Sequence, residues 1–171
     1  MPFGEAFGAL LFWKWNLLTA EVSTRSQWQV MMPEKRGQPV TIAPEAGITA
    51  NGVGYGVVPN GVAPPKGERM SIDEVTRELV KDMEQNEAPK LEGDPRPITV
   101  AGIEGRSVTL HSVSPFSSAN GQPQRKRDWL VTVPQRDGSV IFMVFVAPHS
   151  EFDRFQPTFD AMLKSVQFSA Q

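Results

Sequence analysis

The chain contains no cysteine and only two histidines in 171 residues, and each scarcity removes a class of chemistry. Without cysteine there are no disulfides, no thiolate zinc sites and no cysteine nucleophile. A histidine-based metal site would have His111 and His149 alone, without an HExxH pair, so we expect no metal and no catalysis by either imidazole. The absence of cysteine does not indicate a cellular compartment, because a cysteine-free chain suits reducing and oxidising surroundings alike.

The sequence also lacks an excess of positive charge and a long apolar run. The formal net charge is −2, whereas binding to nucleic acid needs clustered Lys and Arg, so nucleic acid is excluded as a partner. No stretch reaches the roughly 18 apolar residues that span a bilayer. Glu5 occupies the region where a signal peptide carries positive charge, and Lys14 follows the apolar run closely. We therefore predict no membrane-spanning segment and no clear signal peptide.

The remaining composition is that of a globular protein, with 40% hydrophobic and 21% charged residues. A chain of this length suits one domain of ordinary size. We divide it into an N-terminal apolar segment, residues 1–24, and a single α+β domain, residues 25–171. Apolar residues at helical spacing in the first segment fit a helix docked on the core, an interfacial membrane helix, or a remnant of a longer gene product.

Turn residues separate short β-like runs, and two helices are predicted among them. Ser71 and Glu74 form a capping box that opens the first helix, and an apolar stripe from Phe159 to Val166 marks the second, with Pro157 placed near its start. The run Val140–Val146 is apolar without alternation, which is typical of a central strand covered on both faces. The predicted fold class is α+β, an antiparallel sheet with helices packed on it.

The strand boundaries follow from Gly, Pro and polar clusters. Gly102 and Gly105 are expected to supply positive φ values between two strands. Residues Ser114–Arg127 are predicted to form a polar loop. The predicted strands are Gln27–Met32, Gln38–Ala43, Gly52–Val58, Ile98–Glu104, Gly105–Val113, Asp128–Val133 and Ser139–Ala147.

Catalytic and cofactor motifs are weak throughout the chain. A triad of His111, Asp128 and a serine (Ser107, Ser112 or Ser114) lacks a Gly-x-Ser-x-Gly elbow that would present the nucleophile. The glycine-rich NGVGYG at residues 51–56 has no following G-K-[ST], so close backbone approach explains it better than a phosphate cradle. We predict no catalytic residue, no cofactor and no metal.

Positive charge is densest at Arg125, Lys126 and Arg127, with Arg136 across a predicted hairpin. Converging guanidinium groups can bind an acidic partner or a phosphate through paired donors, and a solvated loop is the default alternative. These four residues are the candidate surface for a partner protein. The leading hypothesis is a non-enzymatic binding or accessory module. The alternative is a small-ligand-binding protein or hydrolase with a pocket between sheet and helix, lined by His111, Asp128 or Tyr55.

A series of segments then resembles a known family. In chain order they are WQVMMPEK, VTIAPEAG, GVGYGVV, SIDEVT, ITVAGIEGRSVTL and RDWLVTVPQRDGSVIFMVFVAPHSEFDRFQPTFDAMLKSV. Over about Ser26–Phe168 the chain resembles the PsbP/Mog-type α/β/α sandwich, and more narrowly a bacterial domain of that type found alone or downstream of HExxH zinc metallopeptidases in envelope proteins. The motifs are structural and moderately specific.

The resemblance implies a mostly non-catalytic protein that docks on a larger complex, and an extracytoplasmic location in the bacterial envelope. The chain departs from the envelope pattern because it has neither a lipobox cysteine nor an HExxH helix. At most it would be the accessory part of such an enzyme. The partner and the oligomeric state are not indicated by the sequence.

Overall fold

The computed structural model describes residues 28–31, 40–50, 52–65, 68–87 and 90–168. The N-terminal segment 1–24 lies outside the described residues, so its proposed roles stay predictions. Ten strands and two helices follow in chain order within the described part. They are β1 (Gln29–Met31), β2 (Thr41–Ala43), β3 (Ile48–Thr49), β4 (Gly52–Val53), β5 (Gly56–Val62), α1 (Ile72–Glu87), β6 (Lys90–Leu91), β7 (Arg96–Val100), β8 (Ile103–Ser117), β9 (Pro123–Pro134), β10 (Val140–Pro148) and α2 (Phe152–Lys164).

Eight of these strands form one antiparallel sheet. Its order is β1-β2-β5-β10-β9-β8-β6, and β7 pairs with the first part of β8, while β3 and β4 form a separate two-stranded sheet. The predicted central strand is confirmed, since β10 pairs with β5 on one side and β9 on the other. The hairpin places Met143 opposite Val131 and Phe145 opposite Trp129. This register decides which side chains share a face.

One core lies between the sheet and α2, and a smaller one between the sheet and α1. Because successive side chains of a strand point to opposite faces, odd-numbered residues of β10 face α2 and even-numbered ones face α1. The α2 side is anchored by Val131, Met143, Phe145, Phe159 and Met162. The α1 side contains Val80, Val108, Leu110 and Leu130, against which the half-buried Phe142 and Val144 pack. The predicted α+β architecture with helices on the sheet is confirmed.

Helix α1 is held at its start by the capping box that the sequence predicts. The Ser71 backbone N–H and hydroxyl donate to Glu74 at 2.7 and 2.8 Å, and the Glu74 N–H donates back to the Ser71 hydroxyl at 3.3 Å. The helix is tied to the sheet by Arg106, which donates to Asp73 at 2.7 Å. A buried hydrogen bond of 2.7 Å between the hydroxyls of Thr76 and Thr132 adds a second tie.

Helix α2 begins earlier than predicted. It starts at Phe152, and Pro157 lies in its second turn on the exposed side. The first turn is closed by Arg154 and Phe155, whose N–H groups donate to the Glu151 carbonyl. The predicted stripe is confirmed, with Phe159 fully buried and Met162 nearly so. No helix of the described residues is long and apolar enough to cross a membrane.

The polar loop predicted at Ser114–Arg127 is wrong. Strand β8 continues to Ser117 and β9 begins at Pro123, so only a tight connection separates them. Two boundaries upstream also differ, since β5 continues beyond the predicted strand end at Val58 to Val62, and the β7–β8 turn lies at Ala101–Gly102. Gly102 has the expected positive φ of 79°, whereas Gly105 lies inside β8 where a side chain would strike the Thr132 carbonyl.

The tip of the β8–β9 hairpin bends across the end of β10. A register shift between Val113 and Ser117 accompanies this bend. The Phe116 ring then covers Gly54, where a β-carbon would overlap it, and lies 6.2 Å from the Tyr55 ring. Close approach at the glycine-rich segment 51–56 is thus confirmed at Gly54.

Phe145 and Phe142 offer a matched pair of truncations on neighbouring positions of the central strand. Phe145 is fully buried and packs against Trp129 and Phe159, whereas Phe142 is half-buried. We expect Phe145→Ala to lower the free energy of unfolding by about 3–5 kcal/mol, and Phe142→Ala by clearly less, because a smaller cavity remains. Urea unfolding of both variants measures the difference. Equal losses would contradict the assignment of the larger core to the α2 side.

Asp73 should make the stability depend on pH in a defined direction. The hydrogen bond from Arg106 holds the pKa of Asp73 below its ordinary value of 3.8. A depressed pKa stabilises the fold above the unfolded-state value, and this contribution is lost as the pH falls through the folded-state pKa. Asp73→Asn should therefore lower the melting temperature at pH 7, and the gap to wild type should close below pH 3.8. Glu84→Gln, on the same helix, serves as control; a gap that persists in acid would exclude this mechanism.

Candidate binding groove

The strand alternation of β9 separates the four basic residues predicted to act together. Arg125 is exposed, Lys126 is buried on the α1 side, and Arg127 is partly exposed on the α2 side. Arg136 lies in the turn after β9, ten residues from Lys126, which corresponds to roughly 30 Å along a strand. The four residues therefore do not form a single surface, because they occupy both faces and both ends of the hairpin, and their role in binding a partner stays a prediction.

Lys126 belongs to a buried polar cluster on the α1 side. Its ammonium lies 3.6 Å from the carboxylate of Asp128, and the Ser112 hydroxyl donates to the same carboxylate at 2.8 Å. The side chains of Lys126 and Asp128 are only 9% and 1% exposed. An ion pair so enclosed stabilises the fold only while both partners are present, since either one alone is a buried charge.

Arg127 is held at the start of α2. Its guanidinium carbon lies 5.0 Å from the centre of the Phe152 ring, a cation–π contact, and one terminal nitrogen is 3.4 Å from the carboxylate of Asp153. The Arg127 Nε atom is buried and has no hydrogen-bond partner within the described structure. This side chain therefore has a donor left to offer.

A groove of about 380 Å³ opens beside Arg127, between helix α2 and the face of β8 and β9. It is open and predominantly polar, with the Trp129 ring as its aromatic wall. Helix α2 packs mainly on β10, and the groove opens over the neighbouring strands. The lining residues are Glu92, Asp94, Arg96, Ser107, Val108, Thr109, Arg127, Trp129, Phe152 and Gln156.

His111 and His149 meet beside this groove. The His111 Nε2 atom lies 2.8 Å from a carboxylate oxygen of Glu92, and the His111 and His149 ring centres are 5.2 Å apart. The hydrogen bond with His111 holds the pKa of Glu92 below its ordinary value, and the charges of His111, Arg127 and His149 act in the same direction. The Nδ1 atom of His111 is buried and, like Arg127 Nε, has no hydrogen-bond partner within the described structure.

The residues suggested for a hydrolytic triad are not brought together. Ser112 does contact Asp128, but His111 is the neighbour of Ser112 in β8 and points to the opposite face. Tyr55 is stacked on Phe155 at 5.3 Å and is absent from the groove. None of His111, Asp128 and Tyr55 lines the groove, and the alternative of a small-ligand-binding protein or hydrolase stays a prediction. No group of three or more metal-ligating side chains occurs in the described ranges.

Two helices on opposite faces of one antiparallel sheet define an α/β/α sandwich, and the groove lies on its α2 side. No model of a known protein family matches the chain, and no curated protein does. Solved structures give the comparison instead. Cyanobacterial PsbP (CyanoP) from Synechocystis sp. PCC 6803 is 13% identical, with a TM-score of 0.52 over 83% of this chain and 82% of that chain. The fold of the chain is therefore PsbP-like, as the sequence resemblance predicts.

Two further structures share the outline more loosely. LpqN of Mycobacterium tuberculosis, involved in cell envelope biogenesis, is 13% identical over 80% of this chain and 75% of its own, with a TM-score of 0.46. The protein of unknown function PA94 from Pseudomonas aeruginosa is 13% identical over 84% and 99%, also with a TM-score of 0.46. Similarity at this level describes a fold, and one fold serves many functions.

Lys126 and Arg125 should respond oppositely to the same substitution. Lys126→Met leaves the Asp128 carboxylate enclosed without its ammonium, so we expect a loss of about 3–5 kcal/mol in the free energy of unfolding. Arg125→Met, at an exposed neighbouring position, should change it by about 0.5 kcal/mol or less. Denaturant unfolding gives both values. If Lys126→Met is as benign as Arg125→Met, the buried cluster does not stabilise the fold.

Proposed function

We propose that this protein is a non-enzymatic binding module whose groove accepts an acidic segment of another protein. The observation that carries the proposal is that an arginine and a tryptophan, Arg127 and Trp129, line the same open groove. Arginine and tryptophan are the residue types that most often dominate protein interfaces. An open groove also suits an extended peptide better than a small molecule, which is usually enclosed.

Of the four basic residues expected to bind the partner, we assign two to this surface. Arg127 lines the groove, and Arg125 is exposed on the same strand, one position beyond the buried Lys126. Arg96 in β7, which no sequence motif marks, also borders the groove. Lys126 is assigned to the fold, and Arg136 is too distant to contribute. Long-range attraction from these arginines would mainly raise the association rate and would weaken with salt.

The resemblance carries two finer proposals, an extracytoplasmic location and service as an accessory part of an envelope metallopeptidase. Cell fractionation tests the first directly. The second predicts that the partner captured at the groove is such a peptidase or a component of its complex.

Site-specific photocrosslinking tests the binding surface. A photoreactive amino acid at Thr109, inside the groove, should capture one defined partner in the native host, whereas the same group at Glu84, on the exposed side of α1, should not. The partner is then purified and its affinity measured. Arg96→Gln should weaken binding about tenfold or more without changing stability, since an interface arginine is commonly worth above 1 kcal/mol.

Arg136→Gln is the matched control, because it removes the same charge at the far end of the sheet. Equal effects of the two substitutions would point to net charge alone. Capture at Glu84 in place of Thr109 would move the interface to the α1 side and reject the proposal.

A further inference from the structure

The two histidines of the chain meet at the edge of the groove, although they come from distant parts of the sequence. His111 lies in β8, and its side chain is 13% exposed. His149 follows β10 and is exposed, and its backbone N–H donates to the Arg125 carbonyl at 2.8 Å. The contact between the rings is thus set by the backbone, because a strand and a pinned turn hold them 5.2 Å apart.

Charged groups face these rings from every bordering element. Glu92 follows β6 and contacts His111 directly. The cross-strand partners of His111 are Lys90 in β6 and Arg127 in β9. Asp94 and Arg96 line the adjoining groove, and Asp153 at the start of α2 pairs with Arg127. Near neutral pH the fixed charges nearly cancel, with three carboxylates (Glu92, Asp94, Asp153) beside four cations (Lys90, Arg96, Arg125, Arg127).

We propose that the groove is an acid-activated site for a carboxylate-rich protein segment, switched on by protonation of His111 and His149. Imidazoles change charge between about pH 5 and 8, whereas side-chain carboxylates stay ionised down to about pH 4. Protonation of the two rings therefore adds positive charge to the groove, while the carboxylates of an acidic ligand stay largely ionised. The inference rests on the proposed function and adds its regulation.

The hydrogen-bonding pattern of His111 supports the same direction. With Nε2 donating to Glu92, the neutral ring presents Nδ1 as an acceptor, and this buried atom has no partner within the described structure. Protonation converts it into a donor beside Arg127, whose Nε–H also lacks an acceptor there. Both donors then favour an added carboxylate, since a buried donor without an acceptor costs free energy.

Binding of a labelled hexa-aspartate peptide to the full chain tests the switch without knowledge of the natural partner. In low salt we expect about tenfold tighter binding at pH 5.5 than at pH 7.5, measured by fluorescence anisotropy, and a smaller ratio at high salt. His149→Gln should reduce the ratio, and His111→Gln with His149→Gln should abolish it. Lys164→Gln, an exposed charge on α2, is the control and should leave the ratio intact.

The outcomes separate this inference from the proposed function. Arg127→Gln should weaken the peptide at both pH values and preserve the ratio. Peptide binding that needs Arg127 but is independent of pH would overturn the switch and keep the binding surface. A ratio that survives in the double histidine variant, or no binding of the peptide at pH 5.5, would also overturn the switch.

Proton NMR gives a readout that needs no ligand. Only two histidines titrate, so each single variant assigns the signals of the other. Protonated rings in contact repel, so we expect the midpoint of His111 to change when His149 becomes Gln, and the reverse. If the titration midpoint of each histidine is the same with and without the other ring, the contact is absent in solution and the proposal fails.

Discussion

The register between β9 and β10 is the constraint on which the rest of the structure depends. It places Trp129 and Val131 opposite Phe145 and Met143, and thereby assigns every side chain of three central strands to the α1 or the α2 face. A slip of one residue would exchange the two faces completely. Arg127 would then lie where Lys126 now meets Asp128, and the groove would lose its basic side chain. Core and groove are therefore set by the same backbone hydrogen bonds.

The buried Lys126–Asp128 pair gives this register an electrostatic component. Apolar packing alone tolerates many arrangements of valine and leucine, whereas an enclosed ammonium needs its carboxylate at one distance. We infer that the pair both fixes the strand register and stabilises the fold. The hydroxyl pair of Thr76 and Thr132 acts similarly for α1, because it fixes where along the sheet the helix sits.

Whether a structural feature can be predicted from the sequence depends on whether the groups that pair to form it lie close together in the chain. The capping box of Ser71 and Glu74 and the buried stripe of α2 could be predicted, since their partners lie within one helical turn. The strand segments 114–117 and 123–127 could not, because their composition is typical of a loop, and the backbone pairing that makes residues 123–127 a strand is with β8 and β10. One signal was available: Lys126, Asp128, Leu130 and Thr132 share the parity of a single strand face. The meeting of Glu92, His111 and His149 had no such signal, because it needs the strand order.

The position of β5 has a consequence for how the chain acquires its structure during synthesis. Strand β5 lies between β2 and β10, yet β10 is translated about 80 residues after it, as the pairing of Val62 with Val140 requires. At ordinary elongation rates the interval is about 4–16 s, during which β5 has an unpaired edge. Pairing across such a sequence distance also favours slow folding. Pro59 has no backbone N–H, so the unpaired strand has one hydrogen-bond donor fewer, which makes it a poorer template for aggregation.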